Sequence, residues 1–443
     1  MPRTLHLNAF VMGVGHHEAA WRHPRTAEHH VLDAQHFVRL AQIAERGKLD
    51  SIFLADGLAI GPNIRRNTLA IFEPITLLSA IAGGTSRIGL IGTASTGYSH
   101  PYTLARAFAS LEHISGGRAG WNIVTSGNLQ EALNYGLDTI PEHAGRYRRA
   151  QEFVDVVTKL WDSWDDDAVV LDVADAVFAD PDRIRSIDHV GEHFSVKGPL
   201  NSPRSPQGRP VLVQAGSSED GKELAAHYGE VVFTAQRTIP EGQSFYSDLK
   251  GRLAKYGRNV DELQILPGLV PFIGSTEQEA KALEREFTDL ISPDYALGQL
   301  SAVFNVDLTG LPLDARLPEL PPESQIEGNK SRSTLVRELA GKGDLTIREL
   351  IGQLGGGRGH RSIAGTPEQI ADDIIAWVDA GAADGFNIMP PYLPGGLDDF
   401  VDHVIPILQA RGRFRTDYTN KTLRGHYGLD VPSRSHSRAT TPA

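Results

Sequence analysis

Two short polar motifs in this 443-residue sequence have the residue types needed to hold a phosphate group. Ser217 and Ser218 follow a glycine at the end of an apolar run, where free backbone N–H groups and a helix N-terminus favour an anion. His143 and Tyr147 share one face of another predicted helix, because residues four apart are neighbours on a helix surface. An ordinary serine N-cap at the first motif, and packing and capping at the second, are the alternatives.

Other polar residues lie where apolar runs end, and such positions can contact a ligand. Asp56 closes the run 51–55, and a helix cap or salt bridge explains it equally well. Thr93 begins a loop of small residues that would let a flat ring approach the backbone, although an ordinary turn also fits. Gly92 and Gly97 have the spacing of a nucleotide P-loop, but Tyr98 stands where the lysine is required, so a P-loop is rejected.

The segment 118–126 predicts a buried strand that ends in short polar side chains. The last residues of a strand of this kind reach the mouth of a parallel barrel, where ligands bind. Asn122 and Ser126 are the polar residues that this strand would bring there.

Histidines are frequent near the N-terminus, at positions 16, 17, 23, 29 and 30. They show neither HExxH order nor a nearby carboxylate that would complete a metal triad, so no metal site is predicted. His17, close to Trp21, is interpreted instead as a substrate-pocket group. The glycine-rich run 355–359 before His360 is interpreted as a hinge rather than a phosphate loop, because no strand precedes it.

The composition favours a soluble protein that acts on small molecules. A net charge of −12 argues against nucleic acids and anionic membranes as partners, since both attract a basic surface. The chain contains no cysteine, which excludes disulfides and thiolate metal sites and fits a cytoplasmic location. The apolar start at 5–14 is interpreted as a strand rather than a signal peptide, and no run reaches the ~20 residues of a membrane span.

Strands and helices alternate along the chain, which predicts an α/β fold of the (β/α)₈ TIM-barrel type, with a doubly wound sheet as the alternative. The strands are predicted at 5–10, 51–55, 88–93, 120–125, 210–215, 230–234, 263–273 and 386–390. The helices are predicted at 34–46, 74–82, 103–114, 142–161, 218–227, 241–256, 277–290 and 398–409, and a capping box at Thr366 opens a further one.

A single barrel domain is expected over 1–431, followed by a disordered Ser/Thr/Arg/Pro-rich tail at 432–443. Because such a barrel needs only ~250 residues, two insertions are expected, at 163–206 and 292–365. The first should contain a small hairpin at 189–196. The second should contain a Pro-rich turn (311–322), a polar stretch (323–333) and a helix (335–354), and it is a candidate lid.

Several segments, in this order and spacing, resemble the flavin-dependent monooxygenases of the bacterial-luciferase superfamily. The similarity is to the branch with nitrilotriacetate monooxygenase component A, pristinamycin synthase and dibenzothiophene-sulfone monooxygenase, and it covers nearly the whole chain. The segments that carry it are HEAAWRHP at 17–24, EPIT at 73–76, SGGRAGWNIVTS at 115–126, GTPE at 365–368, DGF at 384–386 and TLR at 422–424.

The resemblance implies a role for each candidate site residue. FMN would bind with Asp56 and Thr93 along its ring system and with Asn122 and Ser126 beside the ring. The ribityl-phosphate end would be held by His143, Tyr147, Ser217 and Ser218. The substrate pocket would be formed by His17, Tyr98 and His100.

The implied reaction is that of the oxygenase component of a two-component system. A separate NAD(P)H:flavin reductase would supply FMNH₂, and one oxygen atom of O₂ would be transferred to a small organic substrate, such as a xenobiotic, a chelator or an organosulfur compound. A homodimer or higher homo-oligomer is the family expectation. The alternatives are a deazaflavin-dependent oxidoreductase of the same superfamily and a non-catalytic flavin-binding protein; a metal-dependent hydrolase would need ligands that the sequence lacks.

Overall fold

A computed structural model describes residues 4–26, 30–60, 64–65, 72–304, 306–318, 345–355 and 359–433. Its strands are β1 (His6–Val11), β2 (Ser51–Leu54), β3 (Gly89–Ser95), β4 (Ala119–Val124), β5 (Val169–Asp172), β6 (Val177–Ala179), β7 (His189–Val190), β8 (Ser195–Val196), β9 (Val211–Gln214), β10 (Val231–Thr234), β11 (Gln264–Ile273), β12 (Arg361–Gly365) and β13 (Gly385–Ile388).

The α-helices occupy the intervals between the strands. They are α1 (Ala34–Arg46), α2 (Pro74–Gly83), α3 (Pro101–Ser115), α4 (Leu129–Asn134), α5 (His143–Trp161), α6 (Glu219–Tyr228), α7 (Ile239–Arg252), α8 (Glu277–Asp289), α9 (Pro293–Phe304), α10 (Ile347–Gly355), α11 (Pro367–Asp379), α12 (Gly395–Asp399), α13 (Ile405–Ala410) and α14 (Leu423–His426). A π-helical turn, Phe400–Val404, joins α12 to α13.

Eight parallel strands form a closed barrel in the order β1, β2, β3, β4, β9, β10, β11 and β13, because β13 pairs again with β1. The predicted TIM barrel is therefore confirmed, and the doubly wound sheet is excluded because that sheet stays open. All eight predicted strands lie within two residues of the observed ones. The apolar residues of these strands form continuous runs, instead of alternating with polar residues, because both faces of each strand are buried.

The apolar core has two layers, one on each side of the barrel wall. The outer layer lies between strands and helices and includes Trp121 of β4, which is fully buried against Phe153 and Trp161. The inner layer fills the barrel and contains Phe10 and Phe53, whose ring centroids are 5.0 Å apart. Side chains therefore fill the barrel, and only its open end can form a ligand site.

The amino-terminal end of the barrel is closed by the segment that contains α14. Leu423 and Tyr427 belong to the inner core layer, and the Tyr427 hydroxyl donates a 2.7 Å hydrogen bond to Asn8 Oδ1 in β1. Arg424 forms a buried ion pair with Glu230 just before β10. The TLR segment that supported the family resemblance thus closes the end of the barrel opposite to the ligand site.

The helices agree with the predictions, with small shifts at their ends. Helix α7 ends at Arg252 and continues as a 3-10 turn, Leu253–Tyr256, so the predicted range 241–256 covers both. The predicted range 398–409 lies inside α12, the π turn and α13. The capping box at Thr366 opens α11, as predicted. In the described ranges, no helix is both long and apolar enough to cross a lipid bilayer.

The two expected insertions contain several short elements. The predicted hairpin at 189–196 is present as antiparallel β7 and β8, and a second hairpin, β5–β6, was not predicted. Strand β12, which pairs with the second half of β11, was not predicted either. The polar stretch 323–333, residues 335–344 of the predicted helix 335–354 and residues 434–443 of the tail lie outside the described residues. In the described half of that predicted helix, residues 347–354 belong to α10.

Candidate functional site

Polar side chains converge at the open end of the barrel, which is formed by the carboxyl ends of its strands and is called the mouth below. Thr93 of β3 and Asn122 of β4 are register partners, and both are buried. Thr93 Oγ1 donates to the Leu54 carbonyl at 2.9 Å and accepts from Asn122 Nδ2, also at 2.9 Å. Asn122 Oδ1 is buried without a hydrogen-bond partner in the described part of the chain.

Two glutamines at the mouth, like Asn122, have a buried amide oxygen. Gln214 ends β9, and Gln236 follows β10 and donates to Thr234 Oγ1 at 2.8 Å. Neither Gln214 Oε1 nor Gln236 Oε1 has a partner among the described residues, although both atoms are buried. A buried carbonyl oxygen without a donor is costly, so the three amide oxygens are suited to a ligand that carries N–H or O–H groups.

His360 lies against the same mouth and was not recognised as a site residue from the sequence. Its ring stacks on Phe233 of β10 with centroids 4.8 Å apart, and its Nδ1 is buried without a described partner. Burial lowers the pKa of His360 to about 4, so the ring is neutral at neutral pH. A Cβ at Gly268 of β11 would lie 2.5 Å from His360 Nδ1, so this glycine makes room for the imidazole.

The end of β4 has a constrained backbone. Ser126 has a φ of 46°, in the left-handed region that non-glycine residues rarely adopt. Its Oγ donates to Ser95 Oγ at 2.8 Å, and its carbonyl accepts from Arg146 Nη1 at 2.8 Å. These two contacts hold the turn that leads from the mouth toward α5.

The predicted phosphate residues come together, although they are distant in sequence. Tyr147 OH and Ser218 Oγ are 3.4 Å apart, and the His143 and Tyr147 rings are 4.9 Å apart. Ser218 is the N-cap of α6 and accepts from the Gly221 amide at 3.1 Å, while Ser217 beside it is exposed. The N-terminus of α5 thus meets that of α6, and both helices follow barrel strands at the mouth.

One acidic side chain belongs to the same cluster. His143 Nδ1 lies 2.8 Å from Asp220 Oδ2, in the first turn of α6. This carboxylate repels an anion, in line with the alternative that Ser218 only caps the helix. The hydroxyls of Tyr147 and Ser218 and the N-terminus of α6, in contrast, favour the binding of an anion.

Asp56 lies two residues beyond β2 and is partly exposed. Burial raises the pKa of its carboxyl, and the Gly57 amide, which donates to Oδ1 at 2.8 Å, opposes that shift. Glu73 and Glu131 add to the raised pKa through charge repulsion. Because Asp56 follows the carboxyl end of β2, it lies on the mouth side of the barrel. It is not the N-cap of α2, since that residue is Glu73.

The three residues predicted for the substrate pocket have different neighbours. His17 is buried, with its ring 5.2 Å from that of Phe287, and its Nδ1 accepts from the Ala19 amide at 3.1 Å. Tyr98 stacks on Tyr135 at 4.6 Å. His100 is exposed and caps α3, where its Nδ1 accepts from the Tyr102 amide at 3.3 Å.

Three residues along the mouth were missed by the sequence predictions. Gln214, Gln236 and His360 contribute orphaned polar atoms there, and none was a candidate. Gln214 and Gln236 had a usable signal, because Gln214 is a polar residue near the end of the predicted strand 210–215 and Gln236 lies two residues beyond the predicted strand 230–234. His360 had none, since it follows a glycine run and no strand. Among the described residues, no group of three or more His, Asp or Glu side chains could hold a metal ion.

The sequence matches a known protein family along most of its length. The model of the luciferase-like monooxygenase family matches residues 12–384. Nitrilotriacetate monooxygenase component A from Aminobacter aminovorans is 50% identical over 434 residues, which span 95% of either chain. N-acetyl-S-(2-succino)cysteine monooxygenase from Bacillus subtilis (strain 168) is 48% identical over 437 residues, 98% of this chain and 99% of that protein.

A solved structure extends the likeness to three dimensions. Riboflavin lyase, solved with modified FMN and its substrate riboflavin, superposes with a TM-score of 0.85 at 30% sequence identity, and the match covers 97% of both chains.

Proposed function

Since this chain belongs to the luciferase-like monooxygenase family and is a flavin-dependent monooxygenase, we propose that its flavin is FMN and that it is the oxygenase component of a two-component system. A separate NAD(P)H:flavin reductase supplies FMNH₂. With O₂, the enzyme transfers one oxygen atom to a small organic substrate, and the other oxygen leaves as water while FMNH₂ becomes FMN. The substrate belongs to the chelators, organosulfur compounds or related xenobiotics.

The observation that carries this proposal is the meeting of Tyr147 and Ser218 at the mouth, where their oxygens are 3.4 Å apart. They lie on two helices whose N-termini face the same space, which is the arrangement that binds phosphate. Ser217 and His143 flank them. Riboflavin alone would not need such a cluster, whereas FMN carries a phosphate that would use it.

The mouth also fits the ring system of FMN. The orphaned oxygens of Asn122, Gln214 and Gln236 are acceptors, and a reduced isoalloxazine ring offers N–H donors to them. Phe10 and Phe233, with centroids 5.3 Å apart, give the mouth an apolar floor. FMN, when bound, supplies the electrons and the oxygen chemistry.

The protein's own part in the reaction is to bind, orient and exclude water. Asn122 and Thr93, joined by their mutual hydrogen bond, would hold one edge of the ring. Asp56, which follows the neighbouring strand β2, would contact the ring system as well. His360, neutral at neutral pH, lies beside Phe233 without adding charge. His17, Tyr98 and His100 remain the proposed substrate-side residues.

The wider arrangement is proposed on the same basis. Residues 1–431 form one domain, and the insertion 292–365 acts as a lid over the mouth during turnover. The enzyme is a homodimer or higher homo-oligomer and acts in the cytoplasm, where NAD(P)H is available to the reductase.

An oxygen-coupled assay tests the activity. The purified chain with FMN, NADH and a generic flavin reductase should consume O₂ with product formation once a substrate of these classes is present, and ¹⁸O₂ should label the product. Reductase alone is the control, since it consumes O₂ without product. Failure of all such substrates to yield labelled product would favour a non-catalytic flavin-binding protein, and product formed without O₂ would favour deazaflavin-type hydride transfer.

A further inference from the structure

A carboxylate lies inside the cluster that the proposed function assigns to the flavin phosphate. Asp220, in the first turn of α6, has its Oδ2 2.8 Å from Nδ1 of His143, the first residue of α5. The side chains of His143 and Asp220 are 51% and 47% exposed, so a ligand in solvent can reach both. A carboxylate repels a phosphate, so the effect of Asp220 on this site depends on what it does to His143.

Asp220 determines which nitrogen of the His143 ring carries a proton. An ionised carboxylate only accepts hydrogen bonds, so the contact between the two residues requires a proton on Nδ1. The other ring nitrogen, Nε2, has no hydrogen-bond partner in the described part of the chain. In a neutral ring with its proton on Nδ1, Nε2 is an acceptor, and only the imidazolium has a proton on both nitrogens.

The protonation of His143 matters because its ring lies next to the two hydroxyls of the phosphate cluster. The ring is 4.9 Å from that of Tyr147, whose hydroxyl is 3.4 Å from Ser218 Oγ. Above neutral pH the phosphate group of a monoester is a dianion, since its second pKa is about 6, and its oxygens then only accept hydrogen bonds. A neutral His143 with its proton on Nδ1 offers such an oxygen a lone pair. His143 can therefore donate to the phosphate from Nε2 only after it takes up a proton.

We propose that Asp220 is a positioning residue, which keeps the proton of His143 on Nδ1 and thereby makes the binding of FMN take up about one proton. A free imidazole is largely neutral at about pH 8. Above that pH, the affinity for FMN falls roughly ten-fold for each pH unit, because each binding event must protonate the ring. The identity of the ligand rests on the proposed function, whereas the effect of Asp220 on the His143 ring does not.

The other charged side chains at the N-termini of α5 and α6 provide a matched control. Arg146 of α5 donates to a backbone carbonyl in the turn after β4, and Glu142, which precedes His143, is exposed. Glu219 of α6 pairs with basic side chains of α6 and α7. Glu219→Gln therefore removes the same charge from the same helix N-terminus as Asp220→Asn does, but it leaves the hydrogen bond to His143 in place.

Anaerobic calorimetry with reduced FMN, at about pH 8.5 in buffers of different ionisation enthalpy, counts the protons that binding takes up. The wild type and Glu219→Gln should take up about one proton, and Asp220→Asn close to none. In the asparagine variant the amide can donate an N–H to Nδ1, so that the neutral ring carries its proton on Nε2 and donates to the phosphate. Asp220→Asn should therefore bind FMN roughly ten-fold more tightly than the wild type at this pH. Reduced riboflavin, which has no phosphate, should show no such difference between the three proteins.

The ring of the flavin-free chain gives an independent readout. In ¹⁵N NMR of the histidine-labelled chain at the same pH, the His143 signal, identified with His143→Gln, should show the proton on Nδ1 in the wild type and on Nε2 in Asp220→Asn. A proton on Nε2 in the wild type, no proton uptake when the wild type binds FMN, or equal uptake in Asp220→Asn would overturn the role of Asp220. Failure of the wild type to bind FMN would overturn the proposed function instead, and the NMR result would still decide whether Asp220 sets the state of the His143 ring.

Discussion

Replacing Arg424 with methionine should lower the free energy of unfolding by about 3–5 kcal/mol, because it leaves a buried glutamate without its partner. The Arg424 side chain is 2% exposed, and that of Glu230 is 12% exposed. Arg424 Nη2 donates to Glu230 Oε2 at 3.0 Å, and Nη1 donates to the other oxygen. Equilibrium denaturation in urea measures the loss.

A double variant provides the control for this ion pair. Glu230→Gln in the Arg424→Met background removes the buried charge, so part of the lost stability should return. The Arg424 amide also donates to Gln207 Oε1 at 2.9 Å, and this backbone contact is kept in both variants. A loss below 1 kcal/mol in the single variant would contradict the assigned role of this pair at the closed end of the barrel.

Gly385→Ala should destabilise the fold by about 3 kcal/mol or more, at the upper end of the range for overpacking. Gly385 of β13 is the register partner of His6 in β1, at the seam that closes the barrel. A Cβ at this position would lie 1.8 Å from the His6 carbonyl oxygen, and backbone atoms cannot rotate away as a side chain can. Thermal and urea unfolding of the purified variant would measure the effect.

Gly251→Ala is the matched control for the seam. Gly251 lies near the end of α7, where an added Cβ meets nothing within 4 Å. The same substitution should therefore stabilise the helix by roughly 0.5–1 kcal/mol. If both variants changed stability equally, the steric account of the barrel seam would be wrong.

The barrel could be predicted from sequence because its strands are buried on both faces. Continuous apolar runs such as the one in β9, where all four residues are buried, cannot be confused with loops. The missed elements lack this signal. In β5 the side chains are mostly exposed, and β12 is short and follows a glycine run, so each depends on its pairing partner for its conformation.

Residues of the candidate site could be predicted from the sequence only where neighbouring residues in the chain indicate their role. Ser218 was a candidate because a serine at a helix N-terminus can contact an anion, and Tyr147 because it is four residues from His143. His360 is different: stacking on Phe233 and the space left by Gly268 place it at the mouth, and both contacts are distant in sequence. Tertiary packing, rather than any motif, positions that ring.

Binding of FMN at the mouth through its phosphate is tested most directly by an anaerobic titration with reduced FMN and reduced riboflavin. The wild type should bind FMN at least ten-fold more tightly than riboflavin. Tyr147→Phe and Ser218→Ala should each cost FMN about 1–3 kcal/mol of binding free energy and leave riboflavin unaffected, so that the double variant no longer distinguishes the two flavins. Equal affinity of the wild type for FMN and riboflavin, or unchanged FMN binding in both variants, would contradict the account.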